Sequence, residues 1–142
     1  MKRSIYVFLF FILSSLSVVS QKLQIDSPIY LTARLIDETD TEAMAKLCKA
    51  YNFTEQPEEE GYIVFTSSTG DKIRFRIGDQ STYVEVTTKD KSSSVDKNLT
   101  QVGFKKSKNT YERGSKFNPW KTICTISSSP TKVYFVKSHN KQ

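Results

Sequence analysis

The segment 61–77 constrains the fold of this chain more than any other stretch of its sequence. In its second half, 72–77, apolar residues alternate strictly with lysine and arginine. A period of two is typical of a β-strand that has one buried face and one solvent-exposed face. The first half, 62–65, is a run of aromatic and β-branched residues, and residues 67–71 between the two halves favour a turn. The segment therefore predicts an antiparallel β-hairpin.

An amphipathic helix is predicted ahead of this hairpin. Thr39 and Glu42 match a capping box, in which two side chains satisfy the free amides at a helix start. Apolar residues then recur at helical spacing, at Met44, Leu47, Cys48 and Tyr51. Asn52 and Pro57 favour the end of the helix soon after this stripe.

Short apolar segments elsewhere in the chain predict further strands. These segments are 29–36, 82–88, 102–104, 122–126 and 133–136. The stretch 87–98 is polar except for one valine and is predicted to be an exposed loop. We see no internal repeat in the sequence. The predicted fold class is α+β, with one N-terminal amphipathic helix packed on an antiparallel sheet of about five to six strands.

The first twenty residues predict export of the protein. A basic start is followed by the apolar run 5–16 and by small residues at Val18 and Ser20, a pattern typical of a secretory signal peptide. The apolar run is shorter than the roughly 20 residues of a membrane span. We therefore predict a signal peptide at 1–20, a single small α+β domain at 21–142, and a secreted or periplasmic protein without stable membrane insertion after cleavage. An uncleaved anchor is the alternative.

Two segments match the acceptor pattern for N-glycosylation, at Asn52 and at Asn98. The pattern has meaning only in a eukaryotic source, which the sequence does not reveal.

Two cysteines, Cys48 and Cys124, lie within residues 21–142. In an oxidising compartment an even pair usually forms a disulfide. We therefore predict a bond between them that links the helix to a late strand. Two buried free thiols are the alternative.

Residues with catalytic or metal-binding chemistry are sparse. The only histidine, His139, lies in a C-terminal tail that is predicted to fray, and catalysis needs a rigidly held imidazole. No spacing of cysteine, histidine or acidic residues matches a metal site, and no glycine-rich phosphate loop is present. We predict a non-enzymatic protein without catalytic residues, metal or cofactor. The alternative is an unrecognised carboxylate-based extracellular hydrolase, for which Glu85 and Glu112 are a candidate pair.

Charge is distributed unevenly along the chain. Residues 21–60 carry four basic and nine acidic side chains, whereas residues 61–142 carry fifteen basic and six acidic ones. A strongly basic half favours an anionic partner, and an exported domain is not expected to bind nucleic acid. The oppositely charged halves also allow head-to-tail self-association, and the sequence leaves the oligomeric state open.

The segment 104–121 is the candidate binding segment. Its lysines and its arginine are interleaved with aromatic residues, a combination that suits an acidic protein or an anionic surface. The candidate binding residues are Lys105, Lys106, Lys108, Tyr111, Arg113, Lys116, Phe117, Trp120 and Lys121. Alternatively, the aromatic side chains pack beneath the sheet while the lysines solvate an edge strand. The sequence thus predicts an exported binding domain whose partner is an acidic protein or an anionic envelope component.

Overall fold

The computed structural model describes residues 27–115, 118–128 and 130–139, which form one antiparallel sheet with helices packed against it. The helices are α1 (Pro28–Leu35), α2 (Thr41–Ala50) and α3 (Ser92–Gln101). The strands are β1 (Thr54–Glu59), β2 (Tyr62–Thr66), β3 (Lys72–Ile77), β4 (Ser81–Thr88), β5 (Lys105–Ser107), β6 (Thr110–Ser115), β7 (Asn118–Ser128) and β8 (Thr131–Ser138). The predicted α+β class and antiparallel sheet are confirmed. The prediction of one helix and about five to six strands is wrong, because the described residues contain three helices and eight strands. The predicted signal peptide, 1–20, lies outside the described residues.

The sheet consists of two halves with the same succession of elements. Helix α2 precedes the meander β1–β4, and helix α3 precedes the meander β5–β8. The strand order β1-β2-β3-β4-β8-β7-β6-β5 joins the two meanders through β4 and β8, which pair along their whole length. The repeat is not visible in the sequence, because the two halves share backbone architecture and have different side chains at most positions.

The predicted hairpin is confirmed by the pairing of β2 with β3. The two strands are antiparallel, from Ile63 opposite Phe75 to Thr66 opposite Lys72. Ile73 and Phe75 are fully buried against the helices. The lysine and the two arginines of β3 lie on the other side of the sheet. We call this side, which none of the three described helices covers, the open face.

The segment 29–36, predicted to be a strand, forms helix α1. Ser27 caps this helix, since its hydroxyl accepts a hydrogen bond from the amide of Ile29 at 3.3 Å, and Pro28 supplies the helical φ of the first turn. Most residues of α1 are buried on every side, and the Thr32 hydroxyl is satisfied by donating to the carbonyl of Pro28 at 2.7 Å. A helix buried all round lacks a polar stripe. Its apolar residues therefore resembled those of a strand.

Helix α2 begins one residue later than its predicted capping box. Its N-cap is Asp40, whose carboxylate accepts a hydrogen bond from the amide of Ala43 at 2.8 Å. The predicted capping pair of Thr39 with Glu42 is therefore wrong. Met44 and Cys48 of the predicted stripe are fully buried, as an amphipathic helix requires.

The segment 87–98, predicted to be an exposed loop, contains the end of β4 and most of helix α3. Val95 and Leu99, four residues apart, are fully buried in the core, and this spacing places them on one face of a helix. The strand predicted to begin at 102–104 is present but begins only at Lys105, because Gly103 has φ +92° at the end of α3. Val95 and Leu99 stand among eleven polar residues at 87–99, and two apolar residues are too few to indicate an amphipathic helix.

The predicted disulfide between Cys48 and Cys124 is not formed, and both residues are buried free thiols. Helix α2, which carries Cys48, contacts α1 and β1, whereas Cys124 lies in β7. Five strand intervals, about 24 Å at roughly 4.8 Å each, separate β1 from β7 in the sheet order. A disulfide needs Cα atoms within about 7 Å. The two thiols therefore belong to one buried core but lie on elements that contact different strands of the sheet.

None of the helices in the described part of the chain has the length and apolar character needed to span a bilayer.

Candidate functional site: the open face of the sheet

A row of side chains crosses the open face from β3 to β7. Arg76 pairs with Tyr83 on β4, Tyr83 with Val136 on β8, and Val136 with Ile123 on β7. Directly opposed residues on one face of an antiparallel sheet have Cβ atoms about 4.5–5.5 Å apart. The row therefore forms a continuous surface across four strands.

Arg76 lies between two tyrosine rings in this row. Its guanidinium carbon is 4.7 Å from the ring centroid of Tyr62 and 4.9 Å from that of Tyr83. The side chain is exposed, and no carboxylate of the described residues lies within ion-pair distance of it. Stacking on aromatic faces fixes a guanidinium while its edge N–H donors stay available. Arg76 is therefore an oriented cation without an internal counter-charge in the described structure.

Arg74, two residues earlier on β3, is held in an internal network. Its Nη2 donates to Oε2 of Glu85 at 2.9 Å, and its Nη1 is 3.5 Å from Oε2 of Glu60. Glu85 is almost completely buried, and Lys132 Nζ lies 3.8 Å from its Oε1. The hydrogen bond that Arg74 donates to Glu85 raises the pKa of Arg74 further. The charge of Arg74 is thus neutralised within the protein, although its buried Nε lacks a hydrogen-bond partner.

The largest exposed apolar side chains of the described residues also lie on the open face. Ile123 on β7 is 40% exposed and Tyr134 on β8 is 37% exposed. Ile123 pairs with Val136, and Tyr134 precedes Val136 by two residues on the same strand face. They are therefore diagonal neighbours and form an apolar patch beside the tyrosine–arginine row.

The predicted binding segment 104–121 is divided between the two faces of the sheet. Lys105 and Lys121 lie on the open face beside Glu112, and Lys121 Nζ is 2.9 Å from the Glu112 carboxylate. Tyr111 is buried on the helix side, where Phe104 also packs in the core. Lys106 and Lys108 are exposed on the hairpin of β5 and β6.

Arg113 of this segment makes mainly internal contacts. Its Nη2 lies 2.9 Å from both carboxylate oxygens of Asp37 and donates to the carbonyl of Ala33 at 2.9 Å. Its guanidinium also lies over the ring of Phe104, 4.8 Å from the centroid. These contacts fasten the end of α1 to the second meander.

Three of the predicted binding residues are not described at the level of side chains. Lys116 and Phe117 lie outside the described residues, and Trp120 is described only as part of β7. Their proposed contribution to binding stays a prediction.

A cleft of about 730 Å³ lies on the helix side of the sheet, between the start of α3 and the β5–β6 hairpin. Its lining residues are Ser92, Ser93, Asp96, Lys106, Lys108, Asn109, Tyr111, Ile126 and Ser128. The Tyr111 hydroxyl donates to Asp96, and Lys106 Nζ lies 3.3 Å from the same carboxylate. These hydrogen bonds lower the pKa of Asp96, while burial is the main cause that raises the pKa of Tyr111. Asp96 and Lys106 of the cleft are thus paired with each other.

The carboxylate pair considered for hydrolysis is widely separated. Glu85 lies on β4 and Glu112 on β6, three strand intervals apart in the sheet order, or about 14 Å. The catalytic pairs of glycosidases are about 5–9.5 Å apart. Within the residues that the structure describes, no group of histidine, cysteine and acidic side chains is arranged to hold a metal ion.

The sequence does not identify Tyr62, Arg76 and Tyr83 as a unit. Alternation indicated correctly that Arg76 lies on the exposed face of its strand. The contact with the two rings depends on the register of three strands, which the sequence alone does not specify.

Comparisons with protein-family models, curated proteins and solved structures found no match to this chain. A function must therefore be inferred from the geometry of the open face.

Proposed function

We propose that this chain is a small exported domain, without catalytic activity, that binds an acidic protein through the open face of its sheet. The observation that carries the proposal is Arg76, an exposed cation held between the rings of Tyr62 and Tyr83. An arginine that has no carboxylate partner among the described residues can pair with a carboxylate supplied by another molecule.

The composition of the open face supports a protein ligand. Tyrosine and arginine are the residue types most often found at the energetic centres of protein interfaces. Ile123 and Tyr134 add exposed apolar area next to them, as is typical of binding surfaces. The face therefore combines an oriented charge with an apolar patch.

The charge of the open face favours an acidic partner. Its basic residues are Lys72, Arg74, Arg76, Lys105, Lys121 and Lys132. The acidic residues Glu59, Glu85 and Glu112 on this side, and Glu60 in the turn between β1 and β2, are each ion-paired with one of these cations. The remaining positive charge would attract an acidic protein and accelerate its association.

A carboxylate-based hydrolase has less support. Glu85 is tied to Arg74 and Glu112 to Lys121, so neither side chain is free to act with the other on a bound substrate. Lys105 of the segment 104–121, which has no ion-pair partner among the described residues, would instead contribute its charge to the rim of the binding face.

The proposal can be tested by capturing the partner from the native exported fraction with the immobilised full-length mature protein. We expect an acidic protein to be retained at low salt and released at high salt, since exposed charges are screened. The double variant Ile123→Ser with Tyr134→Ser should lose this protein while its amide NMR spectrum still shows the native fold. Ala50→Ser, an exposed change on α2, is the control and should retain it.

Capture that is unaffected by the open-face double variant would contradict the proposal. Retention of an anionic glycan or lipid vesicle in place of a protein would contradict it as well, because the partner would then belong to a different class.

A further inference from the structure

We infer that Arg76 anchors a carboxylate of the partner, and that the partner presents this acidic side chain and an apolar side chain four residues apart on one extended segment. The inference rests on the proposed function and specifies the ligand of the same face. The ligand is therefore an acidic peptide segment in an extended conformation.

The surroundings of Arg76 make it suitable as an anchor. The rings of Tyr62 and Tyr83 contact the guanidinium, so the side chain is oriented before a ligand arrives and loses less conformational entropy on binding. Two edge N–H groups of a guanidinium match the two oxygens of a carboxylate. Lysine has the same charge without the planar donor pair.

The spacing of the ligand follows from the register of the sheet. Three strand intervals separate Arg76 on β3 from Ile123 on β7, through Tyr83 and Val136, which is about 14 Å at roughly 4.8 Å each. An extended chain advances about 3.3 Å per residue, and residues four apart point to the same side. An acidic residue on Arg76 therefore places the fourth residue along the segment over Ile123 and Tyr134.

The fold does not require an arginine at this place. In the second half of the sheet β7 occupies the position that β3 has in the first half, and its open-face residues include Ile123, Thr125 and Ser127. The same meander thus forms without a stacked arginine. Arg76 differs in this respect from Arg74, which balances the buried Glu85.

Synthetic peptides test the inference directly. The probe is a fluorescent peptide with one glutamate and one leucine separated by three serines, and its affinity is measured by anisotropy at low salt. We expect it to bind at least about tenfold more tightly than the matched peptide with glutamine in place of glutamate. A peptide with one serine between the two residues should lose the contribution of the leucine.

Variants of the full mature protein identify the anchor. Arg76→Gln should abolish the preference for glutamate over glutamine, and Arg76→Lys should restore part of it. Arg34→Gln is the matched control, because Arg34 is also exposed and lies over a tyrosine ring, that of Tyr51, on the helix side. It should leave the preference intact, and the amide NMR spectrum of each variant should show the native fold.

Equal binding of the glutamate and glutamine peptides would overturn the inference, as would a preference that survives Arg76→Gln. If the peptides fail to bind while the captured partner still depends on Ile123 and Tyr134, the inference is overturned and the proposed function stands.

Discussion

At the scale of single residues, three arginines differ in whether the protein itself supplies a carboxylate partner. Those that have one stabilise the fold, and the one that has none can bind a ligand. Arg113 is bound to Asp37 and to backbone carbonyls, and Arg74 is bound to the buried Glu85. Arg113 connects elements that are distant in sequence, whereas Arg74 connects the consecutive strands β3 and β4. Among the residues that the structure describes, Arg76 has ring contacts only, so its removal leaves no buried carboxylate there without a partner. The three have the same chemistry, and their partners decide their roles.

The two cysteines behave as small buried apolar residues. Burial raises the pKa of Cys48 and that of Cys124 to about 12. The thiolate is the reactive form, and both thiols are therefore protected while the protein is folded.

We predict that the native protein, prepared without reductant, does not react with Ellman's reagent at pH 8. In denaturant two thiols per chain should react with the reagent, whereas a chain with a disulfide would show no reactive thiol. Because the folded pKa lies above the unfolded value of about 8.5, burial of the protonated thiols contributes stability below that pH. This contribution is lost as the pH rises towards 12. Denaturant titrations between pH 8 and pH 11 should show that the free energy of unfolding declines as the pH rises. Replacement of both cysteines by alanine should make this decline smaller.

At the scale of elements, helices α2 and α3 end in the same way. The amide of Phe53 donates to the carbonyl of Cys48 at 3.0 Å, and the amide of Phe104 donates to that of Leu99 at 3.0 Å. The residue before each phenylalanine has positive φ, 62° for Asn52 and 92° for Gly103. This is a Schellman motif, in which a left-handed residue satisfies the last carbonyls of a helix.

Substitutions at the two left-handed positions, Asn52 and Gly103, should change the free energy of unfolding in opposite directions. Gly103→Ala should lower the free energy of unfolding by roughly 1–2 kcal/mol, because a Cβ is strained at this φ, while the nearest atom to it, Arg113 Cδ, is 3.8 Å away and does not clash. Asn52→Gly should raise it by up to about 1 kcal/mol. Urea denaturation of both variants provides the measurement, and an unchanged Gly103→Ala protein would contradict the assignment of strain.

The elements that could be predicted from the sequence are those with a local signal. The hairpin of β2 and β3 was predicted from alternation, and α2 was predicted within one residue from its apolar stripe. Helix α1 was mistaken for a strand because burial on all sides removes the polar stripe, and α3 was missed because only Val95 and Leu99 mark it. Of the open face, Lys105 and Lys121 were predicted. Arg76 was not, because its ring contacts depend on strands that pair across turns.

At the scale of the whole molecule, the sheet leaves its face more accessible to a partner than its edges. The edge strand β1 contains Pro57 and is rich in glutamate, and the other edge, β5, has three residues. Proline, charge and short length all hinder the addition of a further strand. The helices occupy one face, so the open face is the broad surface that the described structure leaves for a protein partner.

Site-specific photocrosslinking of the captured partner tests this central claim most directly. In one variant, benzoylphenylalanine replaces Tyr134 on the open face. In a second variant, it replaces Lys46, an exposed residue of α2 on the helix side. We predict a covalent adduct with the partner from position 134 and none from position 46. Adducts from position 46 without any from position 134 would contradict it.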